Sequence, residues 1–245
     1  MRVRRSVALG LVLGTTCQAW HFPVHEQITR CAIASLPQAM QRRWAPVTEQ
    51  IARRFCRYPD LIQAAERADL AVMRQFCIKP DGKPIHNITW EPQDDLRSLT
   101  YSLQGIIDSM RTGNLDAAAQ HAGVLSHFLA DSTCPAHALI PADSPLESLR
   151  VRFAPPDQAA LNLHPAIERS APAFHLAGRQ PQRQTVETLL ERCYRIVRGN
   201  RESLETLVKA VYAKDEPTVD KMRQDAACRG AELLADAYYT ALLGR

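Results

Sequence analysis

Strand signals are scarce in this chain of 245 residues, and it has no internal repeat, low-complexity tract or second domain boundary. Together these absences exclude sheet-built folds, solenoids and disordered tails, and leave one globular domain. Paired CxxC cysteines are missing too, so a zinc knuckle or ribbon is excluded. The longest apolar run near the start, from about Val7 to Gly14, is too short to cross a bilayer. A large charge excess of either sign is also lacking. The formal net charge is +4, and Arg2, Arg4 and Arg5 supply three of the 30 basic residues.

Those arginines, the apolar run after them and the small residues before Ala19 form the pattern of a secretory signal, 1–19, cut after Ala19. An ordinary buried N-terminal helix is the competing reading. Removing the signal takes three basic and no acidic residues, so the remainder carries about +1. A nucleic-acid-coating surface would show a strong basic excess. Six cysteines remain, Cys31, Cys56, Cys77, Cys134, Cys193 and Cys228. In an exported chain an even count allows up to three disulfides, with the pairing left open.

What the chain has in plenty is helical periodicity. Leu96, Leu99, Leu103, Ile106, Ile107 and Met110 fall at three- and four-residue steps over 94–112, and "TGN" at 112–114 ends that helix. The next pattern starts near Leu115 and runs through Val124, Leu125, Phe128 and Leu129. Further helices are expected over 183–198, 201–213 and 217–242, separated by "RGN" and "DEP". Four prolines, Pro141, Pro145, Pro155 and Pro156, predict a long loop over 139–160. The expected fold is an all-α single helical bundle covering 20–245.

Into the second helix the sequence sets "HFLADSTCPAH", residues 127–137. His127 and Asp131 are four apart and project from one helix face, where they can reach a common ion. His137 lies past Cys134-Pro135, where the chain turns back. "HPAIE" repeats an imidazole and carboxylate at the same spacing in His164 and Glu168, with Pro165 predicting His164 as an N-cap. Each such pair alone is more often a surface or core pair than a site. Together with His25 and His86, five of the eight histidines lie in contexts suited to metal ligation, while His21, His121 and His175 do not. Zinc is the natural ion for imidazole-carboxylate sets, and a catalytic zinc keeps a position open for water.

The H-x3-D-x5-H motif of 127–137, the downstream "HPAIE" and the "WHFPVH" beginning at Trp20 resemble the superfamily of zinc-dependent phospholipases C and S1/P1-type single-strand-specific nucleases, over Trp20 to about Glu168. The resemblance implies a helical fold and a site of about three zinc ions. By motif position Asp60, His86, His127 and Asp131 would hold one ion and His137, His164 and Glu168 a second. Trp20, through a free amine and carbonyl oxygen, would hold the third with His25 and a bridging Asp131. A backbone amine binds zinc only when free, so export and cleavage would create this ligand.

The implied activity is hydrolysis of a phosphodiester by metal-activated water, with Asp60 as the catalytic residue that orients or deprotonates it. Asp69, and more remotely Asp81, are alternatives to Asp60, whose other reading is a turn residue after Pro59. No nucleophilic serine or cysteine is required, and a disulfide is the expected role of Cys134. Asn87 and Gln63 stand where the nuclease branch has an aromatic residue and an arginine, and Glu168 also leans toward phospholipase C. The spacing from Trp20 to His25 leans toward nuclease. A phospholipase C-like enzyme is therefore expected narrowly ahead of a nuclease, with Phe22, Tyr58 and Trp90 as candidate pocket or core aromatics. A zinc-stabilised secreted binding protein without activity is the reading from a different class. The expected location is secreted or periplasmic, without a stable membrane anchor or protein partner.

Overall fold

The computed structural model describes residues 22–64, 70–138, 145–169, 171–176 and 178–244. The predicted signal, Trp20 and Asp69 lie outside these residues. Among the described residues the chain is all-helical, with one isolated antiparallel bridge, Ile78 to Pro84. The helices are α1 (Phe22–Ala34), α2 (Gln38–Trp44), α3 (Thr48–Arg53), α4 (Tyr58–Ala64), α5 (Leu70–Cys77) and α6 (Pro92–Arg111). After them come α7 (Leu115–Thr133), α8 (Pro145–Phe153), α9 (Leu163–Glu168), α10 (Val186–Ala213) and α11 (Glu216–Leu243). None of the described helices is long and apolar enough to cross a membrane.

α7 is the central rod. Its N-cap Asn114 accepts from Ala117 N at 3.0 Å, and from Ala122 to Thr133 every residue is buried. A helix that is apolar nearly all round must be enclosed by others, and α1, α6, α10 and α11 surround it. The 3-10 turn Phe55–Arg57 also lies on it. Gly123 makes that approach possible. A Cβ there would stand 2.6 Å from the Phe55 carbonyl carbon and 2.9 Å from Cys56 N, closer than packed atoms tolerate.

Three local expectations need correcting. The proline-rich 139–160 region is not all loop, because α8 begins at Pro145, where a missing N–H removes no helical hydrogen bond. The "RGN" break is absent and α10 runs unbroken through it. Asn200 is buried there, and its Nδ2 donates to the carbonyl of Thr133, the last residue of α7, at 2.7 Å. Satisfying that orphan carbonyl anchors α10 where glycine and asparagine alone would weaken a helix. α10 ends instead at Lys214, in the left-handed conformation (φ 56°), before Asp215 caps α11.

The third correction concerns the cysteines. Cys31, Cys56, Cys77, Cys134, Cys193 and Cys228 are all free thiols, so the expected disulfides do not form among them. Cys56, Cys77, Cys134 and Cys193 are fully buried and fill the core as small apolar side chains. Burial pushes the thiols of Cys56 and Cys193 up to about 12.

Candidate metal centre

Two titratable residues of the central rod are wholly buried, His127 and Asp131. Burial of such groups is costly unless each is partnered. The partners come from four neighbouring segments. α1 brings His25, whose Nε2 lies 3.0 Å from Asp131 Oδ1. His127 Nε2 lies 3.1 Å from the other oxygen, Oδ2, so one carboxylate faces two imidazoles with separate oxygens. The His25 and His127 rings stack at 4.7 Å with an interplanar angle of 5°.

The segment after α5 brings His86, with Nδ1 3.9 Å from Asp131 Oδ2 and Nε2 hydrogen-bonded to Asp60 Oδ1 at 3.1 Å. α4 carries Asp60 in its first turn, and Asp60 Oδ1 is 3.7 Å from His127 Nε2. Asp81, the remote alternative, is exposed and faces Arg97 at 3.6 Å, away from this cluster.

Closeness here is not hydrogen bonding. His25 Nδ1 and Nε2, His127 Nε2, both oxygens of Asp131 and Asp60 Oδ2 are buried without a hydrogen-bond partner. Meanwhile His127 Nδ1 donates to the carbonyl of Cys56 at 2.8 Å, because a carbonyl can only accept. That bond turns the lone pair of Nε2 toward the carboxylates, the arrangement that orients metal-ligating histidines. Ligand atoms of His25, His127 and Asp131 lie within 4.8 Å of one another, as do those of Asp60, His86 and His127. Ligand atoms that converge at about 3 Å without hydrogen-bond geometry fit a cation.

A second lobe adjoins the first through the consecutive residues His86 and Asn87. The Asn87 side-chain amide stands 3.5 Å from His137 Nδ1. Glu168 accepts from His137 Nε2 with Oε1 at 2.9 Å, and its Oε2 is 3.0 Å from His164 Nδ1. α9 differs from the expected cap: Asn162 is the N-cap and accepts from His164 N at 3.2 Å. Pro165 is still tolerated, since the third helical N–H has no intrahelical acceptor. Arg223 of α11 fixes the far end by donating to the carbonyls of Ala166 and Ile167, the latter at 2.9 Å. Cys134 also enters this lobe, its Sγ grouped with His137 and Glu168 within 4.8 Å.

Burial would raise both acids. For Asp131, fully buried, the neighbouring His127 and His25 outweigh it and hold the carboxyl well below the ordinary range. For Asp60 the hydrogen bond from His86 and the field of His127 do the same, against the opposing charge of Asp131. The first lobe is closed at His25, His127 and Asp131, and opens toward solvent at His86 (16% exposed side chain). His164, at 15%, opens the second.

Of the nine predicted ligands, Trp20 lies outside the described residues, and the other eight fall into these two lobes. Sequence reasoning missed Cys134 as a member of the second lobe, as well as the residues that hold the site. Asp95, in the first turn of α6, is buried and accepts from Thr89 N (2.8 Å), Thr89 Oγ1 (2.8 Å), Trp90 N (3.1 Å) and Tyr194 Oη (2.7 Å). Ser132 Oγ accepts from Ile88 N at 3.2 Å. These bonds clamp 88–90 between α6 and α7, with Trp90 at φ 65° and stacked on Tyr194. The acidic "QDD" after Pro92 was the available signal, being suited to a helix N-terminus. Of the candidate aromatics, Tyr58 is core, packed on Phe55, and Phe22 carries the Arg57 guanidinium 4.3 Å over its ring.

No family model, curated protein or solved structure matches the chain.

Proposed function

We propose that the chain is an exported zinc-dependent phosphoric ester hydrolase of the phospholipase C and single-strand nuclease type, acting on a phosphodiester. The observation that carries this reading is the Asp131 carboxylate, each oxygen within about 3 Å of a different buried imidazole and neither hydrogen-bonded. Such a carboxylate suits a bridge between two ions, the role the sequence resemblance implies for it.

Imidazole and carboxylate donors match zinc. Asp60, His86, His127 and Asp131 would hold one ion, and His25 with Asp131 a second, completed by the Trp20 terminus. His137, His164 and Glu168 would hold a third. Bound zinc supplies Lewis acidity toward phosphoryl oxygens and makes water nucleophilic near neutral pH.

The chain's own residues do the rest. Asp60 keeps one oxygen on His86 and leaves Oδ2 unpartnered, so that oxygen is available to orient a water or accept its proton. Its carboxyl, held below the ordinary range, is ionised at neutral pH. His127 is locked by Cys56, which keeps its lone pair directed inward. The opening at His86 gives substrate an approach to the first lobe.

Asn87 favours the phospholipase C-like branch. Its amide is engaged with His137 and offers no ring on which a base could stack. The complete burial of His25, His127 and Asp131 is the feature that also suits a zinc-stabilised binding protein. Hydrolysis of bis(p-nitrophenyl) phosphate by the cell-processed, zinc-loaded chain separates enzyme from binder. Turnover abolished by chelation and restored by zinc supports the hydrolase, and no turnover from a fully loaded chain overturns it. Parallel assays on phosphatidylcholine vesicles and single-stranded DNA assign the branch.

A further inference from the structure

The second lobe holds a group that a histidine-carboxylate zinc site does not need. Cys134 is the C-cap of α7, is completely buried, and has no disulfide partner. Its Sγ, a ring nitrogen of His137 and a carboxylate oxygen of Glu168 lie within 4.8 Å of one another. Two donors on one tetrahedral zinc stand roughly 3.3–3.7 Å apart, so side-chain shifts of about 1 Å would close this trio on an ion.

The backbone holds the sulfur beside the ring of His137. The chain turns at Cys134 into the 3-10 turn Pro135–His137, and His137 N donates to the Cys134 carbonyl at 3.0 Å, which holds the thiol and the His137 ring on one tight turn. A divalent ion makes thiolate and carboxylate compatible neighbours.

We propose that Cys134 is a sulfur ligand, joining His137, Glu168 and His164 around the ion of the second lobe. Binding forms a metal–sulfur bond and releases the thiol proton to solvent, with no oxidant or reductant involved. Four protein donors make this a closed site, the kind that serves structure. The water-activating position then belongs to the lobe of Asp60, His86, His127 and Asp131. This inference rests on the metal-centre reading above, and its test separates the two.

The processed full-length chain is loaded with cobalt(II) and its absorption recorded. A thiolate-to-cobalt charge-transfer band in the near ultraviolet is expected, and Cys134→Ser should abolish it while the visible bands of the remaining cobalt persist. Cobalt bound without a sulfur band, or a band unchanged in Cys134→Ser, overturns the sulfur ligand and leaves the metal centre standing. A folded wild-type chain that binds no cobalt removes both. Should the variant not fold, X-ray absorption on the zinc-loaded wild type decides. A sulfur scatterer at about 2.3 Å supports the proposal, and a shell of nitrogen and oxygen alone at about 2.0–2.2 Å overturns it.

Discussion

His127 Nδ1 donates to the carbonyl of Cys56 at 2.8 Å, and this one bond couples the packing of the central helix to the chemistry of its buried ring. The contact exists because Gly123, one turn earlier on α7, lets the Phe55–Cys56 backbone lie against the helix. A packing position and a ligand position are thus read from the same face.

Gly123→Ala should therefore damage both. The added methyl group meets backbone atoms of Phe55 and Cys56, which cannot swing aside as a flexible side chain could. Overpacking of this kind costs about 1–3 kcal/mol, and loss of the orienting bond weakens metal affinity about 10–100-fold. Thermal unfolding of the metal-free chain and a zinc titration read the two effects separately. Unchanged affinity in a destabilised variant would remove the Cys56 carbonyl from the metal account.

Asp131→Asn removes a charge while nearly keeping shape. Since both oxygens of Asp131 face imidazoles and lack hydrogen bonds, the variant should bind fewer ions per chain than wild type while remaining folded. Circular dichroism with elemental analysis of the purified variant checks this. Full ion occupancy would contradict the bridging role.

Asp95→Ala should loosen the segment at Thr89 and Trp90, because four donors lose one buried acceptor. A loss of roughly 2–4 kcal/mol is expected, in line with leaving buried donors unsatisfied. Urea unfolding measures it. Zinc affinity should fall as well, since His86 lies two residues before the clamped segment, whereas an intact affinity would show that His86 is held by other contacts.

His121 gives the fold an acid limit away from the metal residues. It lies between the rings of Phe76 (4.9 Å) and Tyr101 (5.5 Å), beside a cleft of about 730 Å³ that Arg97 and Asp108 also line. Burial lowers its pKa from 6.5 to about 4, against a smaller opposing pull from Asp108. The folded state then binds fewer protons than the unfolded chain, so this contribution is complete above pH 6.5 and is lost as pH falls toward 4. In that window the slope approaches about 1.4 kcal/mol per pH unit. Urea unfolding of wild type and His121→Leu from pH 4 to 7 should show a shallower pH dependence in the variant. Equal slopes would refute it.

Much of the fold is legible in the sequence because helical periodicity is a local property. Leu96 to Met110 line one face of α6, and Asn114 marks the start of α7 by its own side chain. The errors fall where distant contacts decide. "RGN" is a weak point in a helix until Asn200 finds the carbonyl of Thr133, and no local pattern contains that bond. Pro145 can punctuate a loop or open a helix, and its own ring chemistry suits either. His164 loses the N-cap position to Asn162, whose side chain is the better acceptor. For the candidate site, spacing alone brings His127 to Asp131 and His164 to Glu168. The gathering of His25, Asp60 and His86 around Asp131 is a matter of tertiary packing, which the resemblance anticipates and periodicity cannot. Asp95, Arg223 and the Cys56 carbonyl were hidden because they act on backbone groups and ligands far away in sequence. The free state of Cys134 was hidden because pairing depends on which cysteines the fold brings together.

The measurement that tests the central claim most directly is zinc per chain, with N-terminal sequencing, on protein exported and processed by a cell. The account predicts about three zinc ions on a chain that begins at Trp20. One ion or none on a chain with that same terminus would contradict the two-lobed hydrolase site.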